Sequence, residues 1–319
     1  MKIIFFFIGI VIIYICANLI YKQSGLYRKI HPELLNYLAK VPHELEIINL
    51  GSTYARYAFD NYSNLGIRGF NFALEHQTLD YDLRILQYYS NCLADRCIVI
   101  IPVAACLMLY MDEGSTDLQY YTLFRRSDIP RFSLKTYLLS KMPLLKDSKK
   151  ILNLLKHEVL GKTKKEYISH DKEQLTSNMH KLINVWKNLF SLDDLKDISD
   201  LSNRNKQALL HTRNKLKEIV GYCLEKGFRP IIIIPPFSEY LNQFFSDEFV
   251  NEILIKNLTE IDVKIPIFDY RKDALFQDNR FFSDGGFRLN FWGSEVFMKK
   301  FLNDLTLADI SIGDMEGRN

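Results

Sequence analysis

Two short segments of this chain carry residue types that could do chemistry together. The first is Asn49-Leu50-Gly51-Ser52-Thr53-Tyr54, where an apolar run ends in a glycine and two hydroxyl residues. Glycine allows a sharp turn after a strand, and a hydroxyl placed there projects beside the amide groups of the next helix. Such a hydroxyl suits a nucleophile or an anion contact, and it equally suits a helix N-cap, which draws on the same residues. The second segment is Phe282-Ser283-Asp284-Gly285-Gly286-Phe287-Arg288-Leu289-Asn290-Phe291-Trp292-Gly293. It sets a carboxylate and a guanidinium just before the last helical stretch, and a plain Asp284–Arg288 ion pair is its ordinary structural reading.

Together the two segments resemble the SGNH/GDSL hydrolase superfamily, especially the membrane-anchored branch found with surface polysaccharide and cell-wall acylation systems. In that branch a Gly-Ser-Ser-like turn after the first strand carries the serine nucleophile. A C-terminal Asp-x-x-His-Leu-Asn-x-x-Gly block carries the acid and base, and Leu289-Asn290-Phe291-Trp292-Gly293 fits its tail. The resemblance covers residues 45–103 and 227–305. It implies Thr53 at the nucleophile position with Ser52 just before it, and Arg288 where the histidine belongs. Asp284 is implied as the acid, one residue further from that position than the family spacing. Gly51, Gly69, Asn71 and Asn290 are the implied anion-binding set, the glycines and Asn71 falling where the family supplies oxyanion donors.

The altered positions set two expectations against each other. Nucleophilic catalysis needs a hydroxyl activated by a base that a third group orients. Arginine stays protonated and cannot be that base. The last histidine of the chain is His211, so the C-terminal block has no imidazole. His76 is a candidate base near the turn, against the commoner reading of a packing or surface histidine. One expectation is therefore an esterase or O-acyltransferase acting on surface polysaccharide with Thr53 or Ser52 and an unorthodox base. The other is an inactive binding or scaffold protein in polysaccharide assembly, with Arg288 holding a carboxylate, phosphate or acidic sugar.

The elements that must position these residues alternate between strand and helix. Residues 45–50 (LEIINL), 66–72, 97–103 (CIVIIPV), 230–234 (PIIII) and 265–268 read as strands. Their unbroken apolar runs fit a sheet covered on both faces. Residues 79–90, 204–226 and 292–305 show helical spacing, and His31-Pro32 opens a short helix over 31–40. The order implies a three-layer α/β fold with a mainly parallel sheet, which the resemblance makes an SGNH-type one. Residues 110–203 break the rhythm: helical stretches at 151–159 and 175–189, charges throughout and no strand predict a helical insertion. It is either a cover over the sheet's carboxyl edge or a lateral subdomain.

The N-terminus is of another kind. Residues 3–21 (IIFFFIGIVIIYICANLIY) carry no charge, and as a helix they span roughly 28 Å, close to the thickness of a bilayer's hydrocarbon core. The stretch is too long for a signal peptide and lacks small residues at its end, which predicts an uncleaved anchor over 1–22 and one α/β domain over 23–319. Lys22, Arg28, Lys29 and Lys40 lean toward a cytoplasmic body by the positive-inside rule, whereas the resemblance implies an extracytoplasmic one. At 48% hydrophobic and 25% charged residues, the remainder has the composition of a globular protein, and a net charge of +3 gives no reason to expect nucleic acid. Lys149-Lys150 and the cluster at 162–165 read as solvated helix faces first, and as lipid or sugar contacts second. No dinucleotide or phosphate-loop motif occurs, no histidine or cysteine spacing suits zinc, and no cofactor or metal is expected. Cys97, Cys106 and Cys223 read as buried thiols.

Overall fold

In the computed structural model of the chain, the described residues are 2–30, 40–59, 62–110, 118–129, 132–159, 172–193, 198–199, 201–261, 264–283 and 285–312. The helix expected over 31–40 lies outside them except for Lys40, as do the basic cluster at 162–165 and Asp284. In chain order the elements begin with α1 (Lys2–Gln23), α2 (Gly25–Ile30), β1 (Leu45–Asn49), α3 (Thr53–Ala58), β2 (Gly69–Asn71), α4 (Leu79–Tyr89), β3 (Leu93–Pro102) and α5 (Ala105–Met108). Next are α6 (Leu118–Leu123), α7 (Leu134–Lys141), α8 (Pro143–Val159), α9 (Lys172–Phe190), α10 (Asn203–Glu225) and β4 (Arg229–Ile234). Then come α11 (Glu239–Asn242), α12 (Asp247–Val250), which runs through a π-helical turn into α13 (Lys256–Thr259), and β5 (Ile267–Asp269). The chain closes with β6 (Phe282–Ser283), β7 (Arg288–Leu289) and α14 (Phe291–Leu307). These elements fall into two compact units, Met1–Val41 with Asp112–Tyr167, and Pro42–Met111 with Ile168–Asn319.

The second unit is α/β. Its five strands form one all-parallel sheet in the order β2-β1-β3-β4-β5. The apolar runs explain the burial: Ile47, Ile48, Ile98, Ile100, Ile232 and Ile233 are all essentially inaccessible. Removing each such side chain from water stabilises the fold by about 1.5–3 kcal/mol. β3 begins four residues before the apolar run that predicts it. Those residues, Leu93–Arg96, are accessible, and the pairing with β1 shifts register between Leu45 and Ile47, so no hydrophobic pattern marks them. α4 and α10 pack together, α10 also meets β4, and α14 packs on α3. Phe297 and Phe301 of α14 stand edge-on to Phe59 with ring centroids 5.4 and 5.8 Å away.

The strand order reverses between β1 and β3. In an open parallel sheet that reversal leaves a crevice at the carboxyl ends of the two strands, where ligands bind. The Gly51 turn follows β1, and Pro102-Val103 ends β3, so both walls of the crevice belong to the segments singled out from sequence.

The first unit is helical among its described residues. α1 contains one segment, Phe5–Gln23, that is long and apolar enough to cross a membrane, and little of it is covered. Near the C-terminal end of α1 the side chains turn inward: Asn18 Nδ2 donates to the Lys141 carbonyl (2.9 Å) and Asn18 Oδ1 accepts from Leu144 N–H (3.3 Å). Tyr21 Oη donates to the buried Asp147 carboxylate (2.9 Å).

Candidate functional site

β1 delivers the chain into Gly51 at φ 111°, a conformation that favours glycine. A Cβ there would stand 2.8 Å from the Ala55 Cβ and 3.3 Å from the Pro102 ring, so glycine is also required by packing. Ser52 is the N-cap residue of α3, extended in backbone, with its hydroxyl making no capping hydrogen bond. Thr53 opens the helix. Both hydroxyl residues are buried. Thr53 Oγ1 accepts from the backbone N–H of His76 (3.4 Å), while the His76 side chain is exposed and its backbone is left-handed at φ 58°. His76 thus approaches the turn through its main chain.

Asp82, which no local sequence pattern marks, holds the turn. Its Oδ1 accepts from the Gly51 N–H (2.8 Å) and from Gln77 Nε2 (2.6 Å). Burial pushes the Asp82 carboxyl up to about 7, against the downward pull of those two donors. The same crevice is lined by Gly51, Ser52, Thr78, Asp80, Pro102 and His211 and holds a cavity of about 30 Å³, water-sized rather than substrate-sized. His211, from α10, reaches Asp80 Oδ2 with Nε2 at 2.8 Å, and Lys215 stands 3.6 Å from Asp80 Oδ1. The sequence signal for His211 was absent because it lies far from both motifs and arrives through helix packing.

The remaining candidates have structural partners. Asn71 accepts at Oδ1 from Asn49 Nδ2 (2.7 Å) and Ala73 N–H (3.0 Å), and donates through Nδ2 to the Arg56 carbonyl (2.8 Å). Its amide therefore ties β1 and β2 to α3. Gly69 lies under the Tyr62 ring, which a Cβ would meet at 2.5 Å. Asn290 is the N-cap of α14: Oδ1 accepts from Gly293 N–H (2.9 Å) and Nδ2 donates to the Arg280 carbonyl (2.5 Å). Gly293 has room for no side chain, since a Cβ would fall 2.2 Å from the Phe281 carbonyl oxygen. The Leu-Asn-x-x-Gly pattern is thus a helix cap and a close backbone approach.

Arg288 meets α3 at Tyr57, one turn beyond Thr53, and β7 packs on that helix. Its guanidinium carbon lies 5.0 Å from the Tyr57 ring centroid, Nη1 is 3.5 Å from Tyr57 Oη, and Nη1 is 3.7 Å from Glu75 Oε1. Tyr57 Oη donates to the same Glu75 oxygen (3.2 Å). Burial raises the Tyr57 phenol, and the charge of Arg288 pulls it partly back. Phe291 and Trp292, just beyond Arg288 in the chain, are both more than half exposed.

Two larger concavities exist in this unit. One of about 520 Å³ lies around Glu46, Leu65 and Leu305, and no candidate residue lines it. The other, about 390 Å³, is bounded by Ala104, Ile234, Phe237 and Arg271 at the carboxyl ends of β3, β4 and β5. Among the described residues no cluster of three His, Cys, Asp or Glu side chains is arranged to hold a metal ion.

No protein-family profile matches the chain, and no curated protein matches it. Among solved structures it is similar to a Bacteroides fragilis protein whose description as an acylhydrolase is provisional. The identity is 8%, the TM-score is 0.38, and the match covers 86% of this chain and 93% of that one. The chain has an α/β unit with a parallel sheet and a polar crevice at its switch point, and among the described residues one helix long and apolar enough to cross a membrane.

Proposed function

We propose that this chain is a membrane-anchored, diverged relative of the SGNH/GDSL hydrolases that binds an acidic sugar or related anion on surface polysaccharide and does not cleave it with a serine triad. One observation carries the reading: the side chain at the histidine position, Arg288, sits on Tyr57 and beside Glu75, while Thr53 Oγ1 is engaged by a backbone N–H. A half-exposed guanidinium flanked by an aromatic face suits a carboxylate-bearing sugar, with the exposed Trp292 as a second stacking surface. Glu75 then serves as the partner that the ligand's carboxylate replaces. The α/β body lies outside the cytoplasm, and α1 holds it at the membrane.

A second reading has one observation of its own. Ser52 lines the same crevice as His211, whose ring is paired with Asp80, which gathers a hydroxyl, an imidazole and a carboxylate without the C-terminal block. Two measurements separate the readings. Titration of an oligogalacturonate into the detergent-solubilised full chain should give saturable binding that Arg288→Gln weakens by about tenfold, as expected for loss of a charge-assisted contact. Hydrolysis of p-nitrophenyl acetate should stay at the background rate in the wild type, Ser52→Ala, Thr53→Ala and His211→Ala alike. Turnover lost in both Ser52→Ala and His211→Ala would establish the second reading instead.

A further inference from the structure

We propose that α7 and α8 form an interfacial membrane element that lies on the anionic bilayer surface at the C-terminal end of α1. The inference concerns the helical unit alone and rests on α1 spanning the membrane.

Its geometry starts from the polar clamp inside that unit. Asn18 grips the α7–α8 junction at Lys141 and Leu144, and Tyr21 grips Asp147 of α8. Tyr21 and Tyr27 stack edge to face at 5.3 Å near the end of the apolar segment, where tyrosines mark the membrane–water interface. Asn18 lies three residues earlier, about 4.5 Å along the helix, so the junction is held at the level of the headgroup and acyl boundary.

The faces of α7 and α8 agree with that depth. Along α8, Pro143 and Asp147 are buried, while Leu145, Lys149 and Leu152 form the opposite, exposed stripe at helical spacing. α7 repeats the pattern with exposed Leu134 and Leu138 one turn apart, followed by Lys141. All four leucines are more than half exposed, an arrangement that water disfavours and an acyl boundary accepts. The exposed charge is of one sign: Lys135, Lys141, Lys146 and Lys149 face outward. Asp147, the one acidic residue between positions 132 and 152, is consumed by Tyr21. Leucines flanked by lysines, fixed beside a spanning helix, complement an anionic lipid surface in both hydrophobicity and charge.

The test uses the full chain reconstituted into phosphatidylcholine vesicles with and without phosphatidylglycerol. Cys16 and Cys92 are replaced by serine, leaving buried thiols. A single environment-sensitive fluorophore is attached at Leu145→Cys or Leu152→Cys, and at Ile12→Cys within α1 as reference. Acyl-brominated lipids should quench all three labels, and Lys146→Glu with Lys149→Glu should shift docking at the two α8 positions by roughly tenfold or more in anionic vesicles. If Ile12→Cys is quenched and the α8 labels are not, the interfacial element is overturned and the span stands. Labels shielded from water yet unquenched by lipid would mean a protein partner or second copy covers this face, and would overturn the proposal too. An unquenched Ile12→Cys would remove the span itself, and the inference with it.

Discussion

The turn that starts α3, the Gly51 flank, and its last turn at Tyr57, the Tyr57 flank, are built from different materials. At the Gly51 turn the groups that hold the backbone are enclosed: Asp82 is 1% exposed, its Oδ1 is shared by Gly51 and Gln77, and the space beside it holds little more than a water. On the Tyr57 flank the charges are half open, with 27% of the Arg288 side chain and 38% of the Glu75 side chain accessible. Buried polar groups without alternative partners fix a backbone, because breaking them leaves desolvated atoms unpaired. Half-exposed charges exchange partners at little cost, since surface pairs contribute only about 0–1 kcal/mol. The part that looks like an active-site turn is therefore the rigid one, and the Arg288–Glu75 pairing is the more exchangeable.

That contrast can be broken or sharpened by substitution. Gly51→Ala should have the largest effect: a positive φ and a Cβ 2.8 Å from Ala55 predict a loss of about 3 kcal/mol in urea unfolding. Asp82→Ala, which orphans the Gly51 amide, should cost about 2 kcal/mol in the same assay. The pH dependence follows from the raised carboxyl. Its neutral form contributes stability fully present below the ordinary aspartate range and lost as pH rises through about 7. The unfolding midpoint should therefore fall between acidic and neutral pH in the wild type, and Asp82→Asn should flatten that stretch of the profile. Asn290→Ala removes an N-cap and should cost about 1 kcal/mol. Arg288→Gln should change stability by no more than about 0.5 kcal/mol while weakening the acidic-sugar titration, and a large stability loss there would erase the difference between the flanks.

Much of the fold was legible in the sequence. Ile48, Ile100 and Ile232 sit in apolar runs that only a doubly covered sheet accommodates, and the helices over 79–89 and 203–225 follow from spacing. Partners from distant positions were not legible. Asp82 lies on a helix face whose pattern reads as ordinary amphipathic surface, and nothing local says that its carboxyl meets an amide 31 residues earlier. Gly69 is explained by the ring of Tyr62, and His211 by the docking of α10, both products of tertiary packing. In the middle section the sequence offered helices without saying which unit each joins. Residues 112–167 cluster with the N-terminal helix, and α9 with the sheet.

Asn290 and Gly293 bear on what a short sequence pattern can report. A helix cap and a close backbone approach each constrain residue type on their own, whatever chemistry the neighbouring position does or does not perform. Leu289-Asn290-x-x-Gly293 is held by the Arg280 and Phe281 carbonyls whatever the protein does. The position before it answers to Tyr57 and Glu75, neither of which demands an imidazole. A match confined to Leu-Asn-x-x-Gly therefore reports a capped helix and a tight backbone crossing, and is silent on turnover.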